Sequence, residues 1–410
     1  MENQVTFFDG QKEFKIDKPV RLIELFAGIG SQAKALKNSG VEFEHYRICE
    51  FDKYAVASYN AVHGTNFTTS DITKITADEL GIVDTDKYCY IMTYSFPCQD
   101  LSNAGLGKGM AKGSGTRSGL LWEVERLLDE CKELPQVLLM ENVPQVIGQK
   151  NIEHFAKWQE KLESLGYKNK WQVLNAKDFG IPQNRERCFM VSILGDYYYE
   201  FPKTMKLEKR LKDMLESEVD EKYYLSDKML DYICKDLPDN YNIKLTELTS
   251  GQSQGNRVYD PNGLSVTLSA NGGGRGAKTG LYLVDKKSLE SDEQKDTNFI
   301  TEKYLSFIKK QNYIPTFYNP YNEREIKEIS PTLSTCCGST TSSATVLINK
   351  NYRIRKLTPK ECWRLMGFED CDIDKAIAVG ISNAQLYKQA GNSIVVNVLV
   401  EIFKKLLKND

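Results

Sequence analysis

The stretch RLIELFAGIGSQAKALKNSG, residues 21–40, decides the fold. Its first part, RLIELF (21–26), is a short apolar run that reads as a buried strand, and SQAKALKNSG (31–40) reads as a following helix stopped at Gly40. Between them lies ELFAGIG (24–30), whose glycines let the backbone turn tightly and approach a ligand closely. In such a unit an acidic residue is due at the end of the next strand, where it can bind ribose hydroxyls. Glu50, closing YRICE (46–50), stands there, about 20 residues on. Asp71, in TTSDIT, is placed to follow a third strand and face an adenine. Alone, the motif also fits a purely structural strand-turn-helix or a nicotinamide dinucleotide site.

Outward from this stretch the pattern repeats. YIMTYSF (90–96), QVLLMEN (136–142) and CFMVSIL (188–194) read as strands, and LLWEVERLLDEC (120–131) has apolar residues at helical spacing. Strands alternating with helices predict βαβ units and a parallel sheet, an α/β fold of Rossmann-like type. Near residue 200 the character changes. A lysine-rich stretch (203–236) reads as helical, and 250–276 and 330–346 are rich in small polar residues. From about 351 the pattern is helical again. Three segments follow: 1–200, a smaller loop-rich 201–349, and 350–410. A faint repeat, YDPNGLSVTLS (259–269) against YNPYN and ISPTLST within 318–334, predicts two similar loops on one face.

Three further motifs carry chemistry. SFPCQDLS (95–102) directly follows a strand. Pro97 removes a donor and fixes φ, so Cys98 is held on a rigid turn at the edge where open α/β sheets bind ligands. A cysteine taken singly is more often a small buried hydrophobe. In MENVP (140–144), Glu141 follows an apolar run, where a carboxylate is costly unless it is paired or functional. In QNRERC (183–188), Arg185 and Arg187 alternate onto one face, either solvated or available to Glu141 and an anionic substrate.

A nucleotide-type loop, a thiol, a carboxylate and two arginines at strand ends suit one reaction. Carbon 5 of cytosine is a poor nucleophile. A thiolate adding to carbon 6 makes the ring an enamine that can accept a methyl group. A carboxyl group at N3 eases that addition. A base then removes the carbon-5 proton, and elimination releases the enzyme.

The chain closely resembles the DNA (cytosine-5)-methyltransferase family, in its bacterial or phage form. The motifs run in the family's order: ELFAGIG, CEFDKYA, SDIT, SFPCQDLS, MENVP, QNRERCFMV, RKLTPKECWRLMGF (355–368) and QAGNSIVVNV (389–398). The resemblance covers the chain outside roughly 200–345. It implies S-adenosyl-L-methionine as methyl donor, with S-adenosyl-L-homocysteine as product and no metal. By motif position it implies a cofactor site of Phe26, Ala27, Gly28, Ile29, Gly30, Glu50, Phe51, Asp71, Ile72, Pro97 and Leu120, completed by Asn392 and Ser393. Cys98 is then the nucleophile, Glu141 grips N3, and Arg185 and Arg187 lie near the cytosine. Segment 1–200 becomes the catalytic and cofactor domain, 201–349 the target-recognition domain, and 350–410 a helical segment returning to the catalytic domain. Many family members have Gly-Pro-Pro-Cys-Gln where this chain has Ser95-Phe96-Pro97-Cys98-Gln99. The implied partner is double-stranded DNA, contacted by Gln99, Ser102, Arg257, Thr267, Arg275 and Thr332. A cognate restriction endonuclease would be a partner in function only, and the protein is expected to be a monomer.

The bulk properties are compatible with this reading. Net charge is −2 over 410 residues, yet residues 301–360 hold ten Lys or Arg against four Glu, a basic stretch suited to phosphates or simply to solvent. The ten cysteines include no C-x-x-C pair, and the three histidines lie far from Cys336, Cys337, Cys362 and Cys371, so no zinc framework is expected. No apolar run is long enough to span a bilayer and no signal peptide is evident, which predicts a cytoplasmic protein. Three rivals remain. An RNA cytosine methyltransferase would carry a Cys-Phe-Thr signature, absent here. A catalytically inactive DNA-binding relative would not need Cys98, Glu141 and Arg187. A Rossmann oxidoreductase would leave SFPCQ and AGNS unexplained.

Overall fold

The computed structural model describes residues 12–101, 109–224, 258–259, 261, 263–268, 280–285, 317–319, 324–325, 347–348 and 352–407. The chain divides into two compact units. One comprises Met1–Met214, Val266–Lys278 and Pro359–Asp410, the other Leu215–Ser265 and Thr279–Thr358. In chain order the first unit contains β1 (Lys12–Glu13), β2 (Val20–Leu25), α1 (Ser31–Asn38), β3 (Phe43–Cys49), α2 (Lys53–His63), α3 (Ala77–Leu80) and β4 (Cys89–Tyr94). It continues with α4 (Leu121–Glu130), β5 (Val137–Asn142), α5 (Ile152–Ser164), β6 (Tyr167–Asn175), β7 (Glu186–Leu194) and β8 (Tyr197–Tyr198). The chain returns to it with α6 (Pro359–Arg364), α7 (Asp370–Ala378), α8 (Asn383–Asn392) and α9 (Val396–Leu406).

Six strands form the central sheet in the order β3-β2-β4-β5-β7-β6. β3, β2, β4 and β5 are mutually parallel. Every residue of β4 and β5 is buried, which is why their sequences are continuous apolar runs without alternation. Leu121, Val124 and Leu128 of α4 and Phe155, Trp158 and Leu162 of α5 pack with Tyr90, Met92, Leu138 and Met140 of the sheet in one hydrophobic cluster. The Trp158 indole N–H donates to the Tyr94 hydroxyl at 3.0 Å, so the buried polar ends of both rings are matched. α9 packs against α1 and so brings the C-terminal end of the chain beside the glycine loop.

One strand departs from the expected parallel sheet. β7 runs antiparallel to both β5 and β6. Residues 176–185 connect β6 to β7 and are too few for a crossover, so the two strands close as a hairpin from Tyr167 opposite Leu194 to Asn175 opposite Glu186. The reversal matters for function. β7 begins where β5 ends, with Glu141 opposite Phe189 and Asn142 opposite Cys188, which delivers Arg185 and Arg187 to the carboxyl edge. A parallel β7 would have put them at the other end of the sheet.

Three further expectations are corrected. Residues 203–224 of the lysine-rich stretch form only two short 3-10 turns, Leu211–Met214 and Glu221–Tyr223, where helix was expected. The Met205 N–H is tied to the Asp178 carbonyl, which holds this chain against β6–β7 connection backbone instead of its own turn; residues 225–236 lie outside the described residues. The helical C-terminal part begins at Pro359, because Tyr352–Lys356 forms a strand. Val266, Thr267 and Leu268 group with the first unit, away from the loop-rich region in which sequence placed them, since Leu268 is buried and its N–H reaches Gln183 Oε1.

The second unit contains β9 (Val258–Tyr259), β10 (Leu281–Asp285), β11 (Phe317–Asn319), β12 (Arg324–Glu325), β13 (Leu347–Ile348) and β14 (Tyr352–Lys356). These make two three-stranded sheets, β14-β10-β9 and β12-β11-β13. The two repeat copies start in different pairings. Tyr259 belongs to a strand parallel to β10, and Tyr318 to a strand antiparallel to both neighbours. No helix among the described residues is long and apolar enough to cross a membrane.

Candidate active site

A cavity of about 530 Å³ opens at the carboxyl edge of the first unit's sheet. The register explains its position. Leu25 pairs with Cys49 and with Tyr94, and Tyr94 with Met140, so four parallel strands end together. The residues after each strand therefore face a common space: Phe26, Gly28 and Ile29 after β2, Glu50 and Phe51 after β3, Ser95 to Gln99 after β4, and Glu141 to Val143 at the end of β5.

The β2–β3 side is shaped by backbone. Phe26 adopts a left-handed conformation with φ 58°, an outlier for an aromatic residue. Its N–H is held by the Cys49 carbonyl at 2.7 Å, and that oxygen also accepts from Ala27 N–H at 3.3 Å. Gly28 is left-handed too, and a Cβ there would meet nothing within 4 Å, so its backbone faces open cavity. At Gly30, with φ 80°, a Cβ would lie 2.3 Å from His63 Nε2. Ala27 and Gly30 thus form the loop without reaching the cavity wall.

Glu50 fixes the loop from the next strand. One carboxylate oxygen accepts from Gly28 N–H at 2.9 Å and the other from Asp52 N–H at 2.8 Å. Burial pushes its pKa up, and these backbone donors oppose the shift. With the Phe51 N–H also acting on it, the carboxylate keeps at least one of its four lone pairs for a donor in the cavity. Phe51 beside it leaves 78% of its surface exposed at the cavity mouth. Asp71 and Ile72 complete this side. The Thr73 hydroxyl and N–H hold Asp71 below the usual carboxylate range, and the Ile72 carbonyl accepts from Arg126 at 2.9 Å. Leu120, at the end of a short 3-10 turn, lines the cavity.

The β4–β5–β7 side is built from ionisable side chains. Arg187 Nε lies 3.1 Å from Glu141 Oε1, and both side chains are largely buried. Burial pushes the Glu141 pKa up, while Arg187, Arg185 and the Ser95 hydroxyl pull it down. Cys98 is half-buried and faces this group. Burial raises its thiol pKa, the Glu141 charge raises it further, and Arg187 and Arg185 lower it. Protonation of Glu141 would remove one of the two raising effects and leave both arginines in place.

The two arginines do not act alike. Arg185 is buried, and its guanidinium donates to the carbonyls of Leu268 at 2.9 Å, Gly391 at 3.0 Å and Ser393 at 2.8 Å. Its Nε has no partner among the described residues, and burial followed by the Arg187 charge pulls its pKa down to about 9. Arg185 thereby ties the hairpin to the end of α8. Asn392 and Ser393 reach the cavity from that helix. The Ser393 hydroxyl donates to Gln389, and Ile394 N–H reaches Ser31 Oγ at the start of α1.

Sequence reading missed Lys388 and Gln389, which also line the cavity. Lys388 Nζ meets Asp52 Oδ2 at 2.6 Å, and Gln389 donates to the Tyr54 carbonyl at 3.0 Å. Both lie within a helical turn of Asn392, the one signal that could have found them. Of the DNA-contact candidates, Gln99 lines the cavity and accepts from Arg117, and the Thr267 hydroxyl donates to the Asn184 carbonyl. Ser102, Arg257, Arg275 and Thr332 lie outside the described residues.

The chain is similar to known proteins in sequence and in fold. A family model for C-5 cytosine-specific DNA methylases matches residues 20–408. The type II methyltransferase M2.ScrFI of Lactococcus lactis subsp. cremoris is 31% identical over 438 residues, covering 95% of this chain and 99% of the relative. The orphan methyltransferase M.SPBetaI of Bacillus phage SPbeta is 30% identical over 462 residues, covering 95% and 97%. Among solved structures, the S. pombe Dnmt2 methyltransferase is similar in fold, with a TM-score of 0.60 at 19% identity, covering 94% of this chain and 97% of that one. A family match spanning nearly the whole chain, with relatives aligned over nearly their full lengths, establishes that this protein belongs to the C-5 cytosine-specific DNA methylases.

Proposed function

We propose that this DNA (cytosine-5)-methyltransferase acts through a covalent bond between Cys98 and a cytosine turned out of duplex DNA. The observation that carries the reading is the cluster of Cys98, Glu141 and Arg187 at three adjacent strand ends, in one cavity with the glycine loop. Members of the family use S-adenosyl-L-methionine. The residues present fit that group: an open Gly28 backbone face, a Glu50 carboxylate with a spare lone pair, and an exposed aromatic ring at Phe51. Asp71, Ile72, Leu120, Asn392 and Ser393 would bound the rest of it. When bound, it supplies the activated methyl group.

The chain's own residues do the remaining work. Burial makes Glu141 able to hold a proton, and Glu141 places that proton on N3 of the cytosine. Arg187 orients the carboxyl group and faces the ring's carbonyl oxygen. The Cys98 thiol gives up its proton to solvent, the resulting thiolate forms the S–C6 bond, and the displaced electron pair moves to C5, where the methyl group is accepted. The C5 proton then leaves to a base, its bonding pair restores the ring as the C6–S bond breaks and the thiolate departs, and N3 returns its proton to Glu141. Turning the base out costs a few kcal/mol, so a mismatched target binds more tightly than a paired one.

We assign target recognition to the chain between β7 and β14. All groups named above belong to the first unit, so one copy of the chain supplies them. Transfer of tritium from labelled cofactor, offered duplex DNA and tRNA in parallel, tests the reading. Label is expected in DNA only. Label in tRNA alone would overturn it.

A further inference from the structure

Three successive carbonyls around the proposed nucleophile are each held by a separate donor. Phe96 O accepts from Asn142 Nδ2 at 2.9 Å, Pro97 O from Ser118 Oγ at 2.6 Å, and Cys98 O from Leu101 N–H at 3.0 Å. Asn142 is itself fixed, because its Oδ1 accepts from Val143 N–H at 2.8 Å. Pro97 has no N–H, so its carbonyl is the only backbone group through which it can be tied. Ser118 is 0% exposed and plays no part in the chemistry above. A hydroxyl at such a position costs free energy unless it is bonded, and its bond goes to Pro97.

Ser118 begins the 3-10 turn that ends at Leu120 on the cavity wall. The preceding residue reinforces the link, since Arg117 N–H donates to Asp100 Oδ2 at 2.9 Å, two residues beyond Cys98. With the Arg117 guanidinium also donating to Gln99, the thiol-bearing turn is stitched at three points to the turn bearing Leu120.

We propose that Ser118 is a positioning residue for Cys98. Its hydroxyl fixes the Pro97 carbonyl. The peptide to Cys98 is planar, so fixing that oxygen fixes the Cys98 nitrogen and the direction in which the thiol leaves the backbone. Attack on carbon 6 needs the sulfur within about 3–3.5 Å and aligned, and small misplacements are costly. This inference rests on Cys98 being the nucleophile.

The test is single-turnover adduct formation on duplex DNA containing 5-fluorocytosine, at saturating cofactor and DNA. Ser118→Ala should form the adduct about tenfold more slowly, in line with loss of one buried hydrogen bond. Its cofactor affinity, DNA affinity and thermal midpoint should stay near wild type. Ser118→Thr, which keeps the hydroxyl, should recover the rate. Ser118→Cys keeps the volume with a weak S–H donor, and it gives the same reading should the alanine variant fold poorly. Adduct formation by either hydroxyl-free variant at the wild-type rate overturns the inference. So does a loss that appears only as weaker cofactor binding. Failure of the wild type to form any adduct would instead overturn the proposed function.

Discussion

One wall of the cavity is made of backbone and the other of side chains. On the β2–β3 wall, Phe26 and Gly28 hold left-handed conformations and Glu50 receives two N–H groups, so its shape is set by dihedral angles and fixed donors. On the β4–β5–β7 wall, Cys98, Glu141 and Arg187 face one another in a buried space, so its behaviour is set by charge. The difference teaches where each kind of substitution should act. Changes to the first wall should alter binding and stability, and changes to the second should alter rate with binding largely kept.

The largest break is expected from Cys98→Ser. The hydroxyl is far less acidic than the thiol, so methyl transfer should fall by about 10⁴-fold or more, with cofactor affinity by calorimetry close to wild type. A variant that retained activity would remove the thiol from the mechanism. Glu141→Gln keeps the shape but cannot hold a proton for N3. It should lower kcat by about 10²–10⁴-fold with a small change in KM for DNA. A change confined to KM would place Glu141 in binding alone.

Gly30→Ala tests the first wall. The added methyl group meets both His63 and a φ of 80°. It should cost about 1–3 kcal/mol of stability and weaken cofactor binding, read from thermal unfolding and titration. Combining it with His63→Ala should recover only part of the loss, because the Tyr59 ring, 2.7 Å from the added methyl group, and the strained φ remain. Full recovery would mean that the left-handed backbone is not what demands glycine.

The smallest effect concerns pH. Behind the glycine loop, Glu24 is buried and accepts from the Tyr59 hydroxyl at 2.5 Å and from Ala33 N–H at 3.3 Å. Burial raises its pKa to about 7 and lowers that of His63 to about 4. Glu24's contribution is complete below its unfolded value of 4.5 and is lost as pH rises toward about 7. His63's contribution is complete above its unfolded value of 6.5 and is lost as pH falls toward about 4. Between those unfolded values the two oppose each other. Glu24→Gln should therefore make stability fall more steeply with acid from pH 6.5 to pH 4.5, measured by urea unfolding. Equal slopes for variant and wild type would contradict this.

The two walls were not equally legible in sequence. The Pro97-Cys98 turn and Glu141 follow directly from strands that read as unbroken apolar runs, because β4 and β5 are covered on both faces, whereas Glu50 is placed by its spacing from the glycine loop. β6, one of the sheet's two edge strands, was missed because Lys168, Lys170, Trp171 and Gln172 are exposed and break the pattern. Missing β6 hid the hairpin, and with it the reversal that carries Arg185 and Arg187 to the site. α5 was legible and not picked out, for Phe155, Trp158 and Leu162 lie at helical spacing on its buried face. The divergence of the two arginines could not be read locally. Arg185 finds its carbonyl partners at Leu268, Gly391 and Ser393, far along the chain, while Arg187 finds Glu141 on the adjacent strand.

The central claim is that the Cys98 sulfur bonds to the target cytosine. The direct measurement is mass spectrometry of the protein trapped on duplex DNA containing 5-fluorocytosine, where fluorine at carbon 5 prevents elimination. The account predicts one modified peptide, carrying the nucleotide on Cys98. Modification at another of the ten cysteines, or no covalent product from enzyme that methylates ordinary DNA, would contradict it.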